Sequence, residues 1–223
     1  MMATKLASIH RFTTDEYERM VRLGIVPSDS AQLIDGRVFV DGSLWRFSTA
    51  DYYRLAGAGI LTEDDRVELI EGEILDMAAI GSRHAGTVNR FNALLGHRLG
   101  GEIIVSVQSP LHIRDGVEPE PDIMVLRARE DFYTGSHPTA ADVLLLIEVA
   151  DTSVGFDRTE KADLYASAAV AEYWLVDLGM KRVLVHTGPM PAGYARVETK
   201  DVDDSWTAIS LPQLTVSGTD IFG

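Results

Sequence analysis

The chain of 223 residues contains no cysteine. Disulfides and thiolate metal sites are therefore excluded. No apolar run is long enough to span a bilayer, and the opening MMATKLASIHRFTT lacks the apolar core of a signal peptide. These absences lead us to expect a cytoplasmic protein without a membrane partner. Positive charge is scarce: 20 Lys and Arg stand against 34 Asp and Glu, a formal net charge of −14. Such a surface repels nucleic acid at long range, so any nucleic-acid chemistry needs a local basic patch or metal ions. The local concentrations of arginine are Arg11, Arg19 and Arg22 near the start and Arg83, Arg90 and Arg98 further on. Low-complexity segments are absent too. The rest is an ordinary globular composition, and the length suffices for one large domain or two small ones.

What is present begins with an internal repeat. His-Arg-Phe-Thr-Thr from His10 is echoed by Trp-Arg-Phe-Ser-Thr from Trp45, Tyr17 by Tyr52, and Gly24-Ile25 by Gly59-Ile60. Leu33-Ile34-Asp35-Gly36 returns as Leu69-Ile70-Glu71-Gly72. Each copy reads as a capped helix, a glycine stop and a hairpin turning at Asp-Gly or Glu-Gly. The second copy has Glu68 and Glu73 where the first has Gln32 and Arg37. A two-residue turn at Glu71-Gly72 puts Glu68, Ile70, Glu73 and Leu75 on one face. That face is either a solvated one or a contribution of carboxylates to a site.

The chain is organised around VLLLIEVADTSVGFDRTEKADLYASAAVAEYWLVDL, Val143 to Leu178. Val143 to Val149 is an apolar run broken by Glu148, the pattern of a strand buried on both faces. A carboxylate there is costly unless it is paired or binds metal. Asp157-Arg158-Thr159-Glu160 has the form of a capping box and predicts a helix start. Lys161 in its first turn opposes the helix dipole, so local stability does not explain it. Glu172 to Leu178 reads as a second core strand. Strand, helix and strand form a βαβ unit, which brings Lys161 close to Glu148.

Earlier, the pattern predicts a helix from Arg83 to Leu99 with His84 in its first turn, and a strand from Glu102 to Gln108. A strand opening at Leu111 to Ile113 is also expected, and a hairpin around Gly188-Pro189. In Glu118-Pro-Glu-Pro-Asp122-Ile-Met-Val-Leu126 the prolines fit a strand entrance, and Asp122 stands where the strand becomes apolar. Asp122 and Glu148 on neighbouring strands, with a lysine, are the parts of a metal-dependent phosphodiesterase. Hard oxygen ligands suit Mg2+ or Mn2+. Asp122 and Glu148 are the candidate metal ligands, and they are candidate catalytic residues together with Lys161, Glu68, Glu73, His84 and Gln108. For His84 a satisfied surface residue, for Gln108 an ordinary strand polar residue, and for Lys161 a solvated partner of Asp157 stand as the alternatives.

The segments GILTEDDRVELIEGEILDMAAIGSRHAGTVNRFN, VSVQSPLHI, EPEPDIMVL, LLLIEVADTSVGFDRTEKADLYA and EYWLVDL occur in this order. Together they resemble the Uma-two family of restriction endonucleases within the PD-(D/E)XK superfamily, over Phe47 to about Tyr194. The resemblance implies an α/β restriction-endonuclease-like fold, a central mixed sheet flanked by helices, with Asp122 and Glu148 as metal ligands. It departs from the superfamily at Ala150, where a lysine is usual, and Lys161 is the migrated replacement. We therefore expect residues 1–44 to form an N-terminal segment of the helix–hairpin duplication and residues 45–223 a nuclease domain. The activity implied is hydrolysis of DNA by a Mg2+- or Mn2+-dependent endonuclease; a homodimer is a separate expectation. The alternative is a weak or inactive nuclease fold kept as a binding or interaction module.

Overall fold

The structure is a computed structural model that describes residues 8–62, 64–151, 155 and 157–223, with backbone alone for Glu102, Asp157 and Arg158. It divides into two compact units, one of residues 8–78 with Ile113–Pro119, the other of Ala79–His112 with Glu120–Gly223. The boundary expected between residues 44 and 45 falls inside the first of these.

The first unit holds both repeat copies. After a short strand β1 (Ser8–Ile9), Thr13 opens helix α1 (Thr14–Arg22). Its hydroxyl accepts the Glu16 amide at 3.3 Å while the Glu16 carboxylate accepts the Thr13 amide at 2.7 Å. The hairpin of β2 (Ala31–Ile34) and β3 (Arg37–Val40) follows, then a short β4 (Ser43–Leu44). In the second copy Ser48 and Asp51 form the same reciprocal cap on α2 (Thr49–Gly57), ahead of the hairpin of β5 (Val67–Ile70) and β6 (Glu73–Asp76). Both hairpins turn through two residues of positive φ, Asp35-Gly36 at 49° and 71° and Glu71-Gly72 at 50° and 72°. That is the mirror-image turn whose twist matches the strands. Glycine is needed there on a second count: a Cβ on Gly36 or Gly72 would lie 2.7 or 2.8 Å from the Cβ of Arg11 or Arg46. The register pairs Glu68 with Leu75 and Ile70 with Glu73, so these four side chains share a face as expected.

The two copies bury their apolar faces in a single core. Phe12, Met20, Ile25 and Val38 from the first pack with Phe47, Leu55, Ile60 and Leu69 from the second. They also cap one another. Arg54 donates to the carbonyls of Leu23 (2.6 Å) and Gly24 (3.3 Å) at the end of α1, and Arg19 donates to those of Ala58 and Gly59 at the end of α2. Guanidinium groups at helix C-termini satisfy carbonyls that lack an intrahelical partner.

The second unit opens with α3 (Ser82–Leu99), followed by the sheet strands β7 (Ile103–Val107), β8 (Ile123–Arg127) and β9 (Val143–Ala150). A π-helical turn, Asp157–Lys161, leads into α4 (Ala162–Ser167), and β10 (Glu172–Asp177), β11 (Arg182–Met190) and β12 (Gly193–Lys200) complete the sheet. Its order is β12-β11-β10-β9-β8-β7; β9 and β10 run parallel and every other neighbouring pair is antiparallel. This is the mixed sheet flanked by helices that the family resemblance implies. Val88, Phe91 and Leu95 of α3 pack with Ile123, Val125, Leu145, Ile147 and Val149. Pleating then turns Glu148 to the opposite face of β9, the face of α4.

A closing ribbon of β13 (Ser205–Thr207) and β14 (Thr215–Ser217) precedes α5 (Gly218–Phe222). Buried Glu172 ties this ribbon to the sheet by accepting Trp174 Nε1 at 2.8 Å and the Ile209 amide at 2.7 Å. Burial pushes its carboxyl up, and those hydrogen bonds only partly offset the effect.

Two local expectations are corrected. The last hairpin turns at Pro191-Ala192, with Met190 opposite Gly193, while Gly188-Pro189 lies within β11. Pro191 supplies the fixed φ that a tight turn uses, and Gly188 adopts φ +68° inside the strand. Leu111 to Ile113 forms no strand of its own; isolated bridges His112–Thr139 and Arg114–Val117 take its place.

Candidate active site

Asp122 and Glu148 come together because β8 and β9 are antiparallel with Ile123 opposite Ile147, so the next residue back on β8 meets the next residue forward on β9. The two residues then clasp through the backbone. The Asp122 amide donates to Glu148 Oε2 at 3.2 Å, and the Val149 amide donates to Asp122 Oδ2 at 2.9 Å. Asp122, Glu148 and Lys161 are 7 %, 4 % and 5 % exposed, so each is a desolvated ion that survives only with strong partners.

Glu148 has those partners. Lys161 Nζ donates to Oε1 at 3.0 Å, and the hydroxyl of Tyr165, a fully buried side chain, donates to the same oxygen at 2.7 Å. The proximity of Glu148 and Lys161 expected from the βαβ pattern is therefore present. The local structure differs from the expected capped α-helix: Asp157–Lys161 is a π turn and the α-helix begins at Ala162. Lys161 is thus not a dipole-opposed surface lysine in an α-helical first turn. It closes a widened turn, of a kind that recurs at functional sites, and its head group is buried against a carboxylate. Of the expected capping pair, the Asp157 side chain lies outside the described residues, and Glu160 accepts from the neighbouring Thr159 hydroxyl.

Asp122 is held from α3 and β7. His84 Nε2 lies 2.9 Å from Oδ2, and Gln108 Nε2 lies 3.4 Å from Oδ1. His84 Nδ1 is buried and has no hydrogen-bond partner among the described residues. Gln108 has φ +46°, a left-handed conformation that a residue with a side chain adopts at a cost. Its amide donates to the Asp122 carbonyl at 3.1 Å, which continues the β7–β8 ladder into the site. Burial pushes the Asp122 carboxyl up. The hydrogen bond and charge of His84, the Val149 amide and the charge of Lys161 together outweigh it, so the carboxyl stands below its ordinary value.

Of the predicted site residues, Asp122, Glu148, Lys161, His84 and Gln108 form one connected group in the second unit. Glu68 and Glu73 belong to the first unit, where Glu68 is buried and Glu73 is ion-paired with Arg46. Tyr165 is a site residue that the sequence signals only by position: it stands four residues after Lys161, on the same helical face.

The chemistry of the donors fits a hard divalent cation. Asp122 and Glu148 present carboxylate oxygens at adjoining strand positions, and among the described residues Asp122 Oδ1 has the long contact from Gln108. Among the described residues no group of three or more His, Cys, Asp and Glu side chains could hold a metal ion. For Mg2+ one or two carboxylates can suffice, with water or phosphate oxygens in the remaining positions.

The sheet, its helices and the carboxylate pair at the end of β8 and β9 define a nuclease-like α/β domain. The same fold occurs in a crystal structure described as "a putative nuclease belonging to DUF820" from Anabaena variabilis ATCC 29413, with a TM-score of 0.59 and 17 % identity over 79 % of this chain and 97 % of that one. Residues 49–218 match the profile of the Uma2 family, described as "Putative restriction endonuclease", and the chain belongs to that family. No curated protein matches the chain in sequence.

Proposed function

We propose that this protein is a Mg2+- or Mn2+-dependent endonuclease that hydrolyses phosphodiester bonds of DNA. The observation that carries the reading is the clasp of Asp122 and Glu148 with Lys161 3.0 Å from the glutamate. Asp122 and Glu148 would hold the cation, which when bound polarises the phosphate and makes water a better nucleophile. The chain's own groups do the rest. Lys161 brings its ammonium to the reacting phosphate, where it orients the attacking water and stabilises the charge that develops on the phosphorane. His84 and the Val149 amide fix the Asp122 carboxylate in one orientation, so little reorganisation is left for the reaction step. Gln108 supports the same carboxylate from β7. Glu68 and Glu73 are carboxylates of the second repeat copy and have no step in this scheme.

A second reading, a binding module on an inactive nuclease fold, is favoured by the use the chain makes of its arginines. Arg83 is ion-paired with Asp151 and Arg98 with Asp220, so the basic groups of α3 are partly spent inside the chain. With a net charge of −14, affinity for DNA would depend on the cation more than on the surface.

Plasmid cleavage with MgCl2 or MnCl2 separates the two, run with wild type and Glu148→Ala. Cation-dependent nicking that the variant loses supports the enzyme. Equal residual nicking by both, or none by the wild type under any cation, favours the binding module.

A further inference from the structure

Tyr165 is fully buried, and its ring packs edge-on against Tyr173 with centroids 5.2 Å apart. Phenylalanine would fill that space equally well. The hydroxyl is therefore there for another reason, because burying it is unfavourable unless it finds a partner. Its partner is the oxygen that Lys161 also contacts, Glu148 Oε1, and its contact is the shorter of the two, 2.7 against 3.0 Å. The opposite oxygen, Oε2, accepts the Asp122 amide. Two donors on one oxygen of a buried carboxylate exceed what a simple ion pair needs.

The redundancy matters when phosphate enters. If Lys161 were the sole side chain holding Oε1, its ammonium could turn to a phosphate oxygen only by stranding a buried carboxylate, at the cost of an unpaired ion. With the phenol in place, Oε1 keeps a short hydrogen bond while the lysine moves. The same bond fixes the carboxylate's rotation, so Oε2 keeps its direction along the Asp122 side of the site.

We propose that Tyr165 is a positioning residue for Glu148: its hydroxyl holds Oε1 so that Oε2 is presented to a divalent cation and Glu148 stays hydrogen-bonded when Lys161 serves the phosphate. This rests on the metal-dependent reading above. Partners of this kind that orient a ligating carboxylate change metal affinity or activity by about 10- to 100-fold when removed.

The test is calorimetric titration of MnCl2 into wild type and Tyr165→Phe, with near-ultraviolet circular dichroism to verify that the variant is folded. The expected result is a Mn2+ dissociation constant raised about tenfold in a folded variant, a change that loss of ring packing would not produce because the ring is retained. Equal Mn2+ affinity in wild type and folded variant overturns the assignment and leaves the metal reading intact. Absence of Mn2+ binding by the wild type removes both. If Tyr165→Phe does not fold, the tyrosine ultraviolet difference spectrum of wild type on adding Mn2+, set against Glu148→Ala, decides instead: a tyrosine band in the wild type alone supports the role, and a flat wild-type trace at saturating Mn2+ overturns it.

Discussion

Lys161 and Glu148 form an ion pair in which both side chains are almost entirely shielded from water, 6 % and 5 % exposed. Such a pair gains little over an apolar core of the same volume, yet removing one member leaves the other as a buried, uncompensated charge. Net stabilisation is therefore a weak reason for the pair to be there.

Lys161→Met should lower the cleavage rate by about 100-fold or more, the scale for losing one preorganised donor. A dipole-opposed position alone would give a small effect on stability; burial of Lys161 reverses that. Loss of the ammonium should cost about 3 kcal/mol, near the low end for a broken buried pair because Tyr165 and the Asp122 amide still hold Glu148. Urea denaturation and single-turnover cleavage read the two effects separately. Cleavage within a few-fold of wild type would move the electrostatic role away from this residue.

Millimolar MgCl2 or MnCl2 should raise the melting temperature of the wild type, since a ligand bound only by the folded state stabilises it by about 2.7 kcal/mol at 100 times its Kd. Asp122→Ala and Glu148→Ala should each abolish the rise. An unchanged wild-type melt across the titration speaks against the carboxylate pair as a metal site.

Asp122 makes a prediction about pH. Its folded-state carboxyl lies below the ordinary value, so between that value and the ordinary one the unfolded chain binds more protons. The stability it contributes is complete above the ordinary carboxylate pKa and is lost as pH falls through the lowered one. The melting-temperature gap between wild type and Asp122→Asn should thus be widest near neutrality and narrow in acid. A gap that stays constant from neutral to strongly acid pH contradicts this assignment of the shift.

Arg19 and Arg54 cap each other's helices from equivalent places in the two repeats. Replacing either by alanine should destabilise the duplicated unit by about 1 kcal/mol, and truncating the chain through Asp41 should unfold it, because Met20 and Val38 share one core with Leu55 and Leu69. Limited proteolysis of the truncated chain checks this; a truncated second copy that stays resistant would show that it stands alone.

The sequence makes much of this arrangement legible. The alternation and turn chemistry of Leu69 to Leu75 fixes the hairpin register to the residue, and the apolar run around Glu148 marks a core strand carrying an ion. The βαβ spacing is enough to bring Lys161 to that ion. The π turn is not legible, because a capping-box pattern favours an α-helical start locally, and what displaces it is the tertiary demand that the Lys161 head reach Glu148. Tyr165 was hidden for a related reason: a tyrosine inside an apolar helix reads as core filling, and only the direction of its hydroxyl distinguishes it. Gln108 reads as a strand residue until its positive φ is seen.

The first unit is built from residues 8–78 and completed by Ile113–Pro119, whose Glu118 exchanges backbone hydrogen bonds with Leu69 at 2.7 and 3.3 Å while the Gly116 carbonyl accepts the Gly72 amide. During synthesis, then, β5 leaves the ribosome with one of its edges bare and stays so until α3 and β7 have been translated. At about 5–20 residues per second, that interval lasts seconds, long compared with hairpin formation. The nascent chain spends it with an open strand edge.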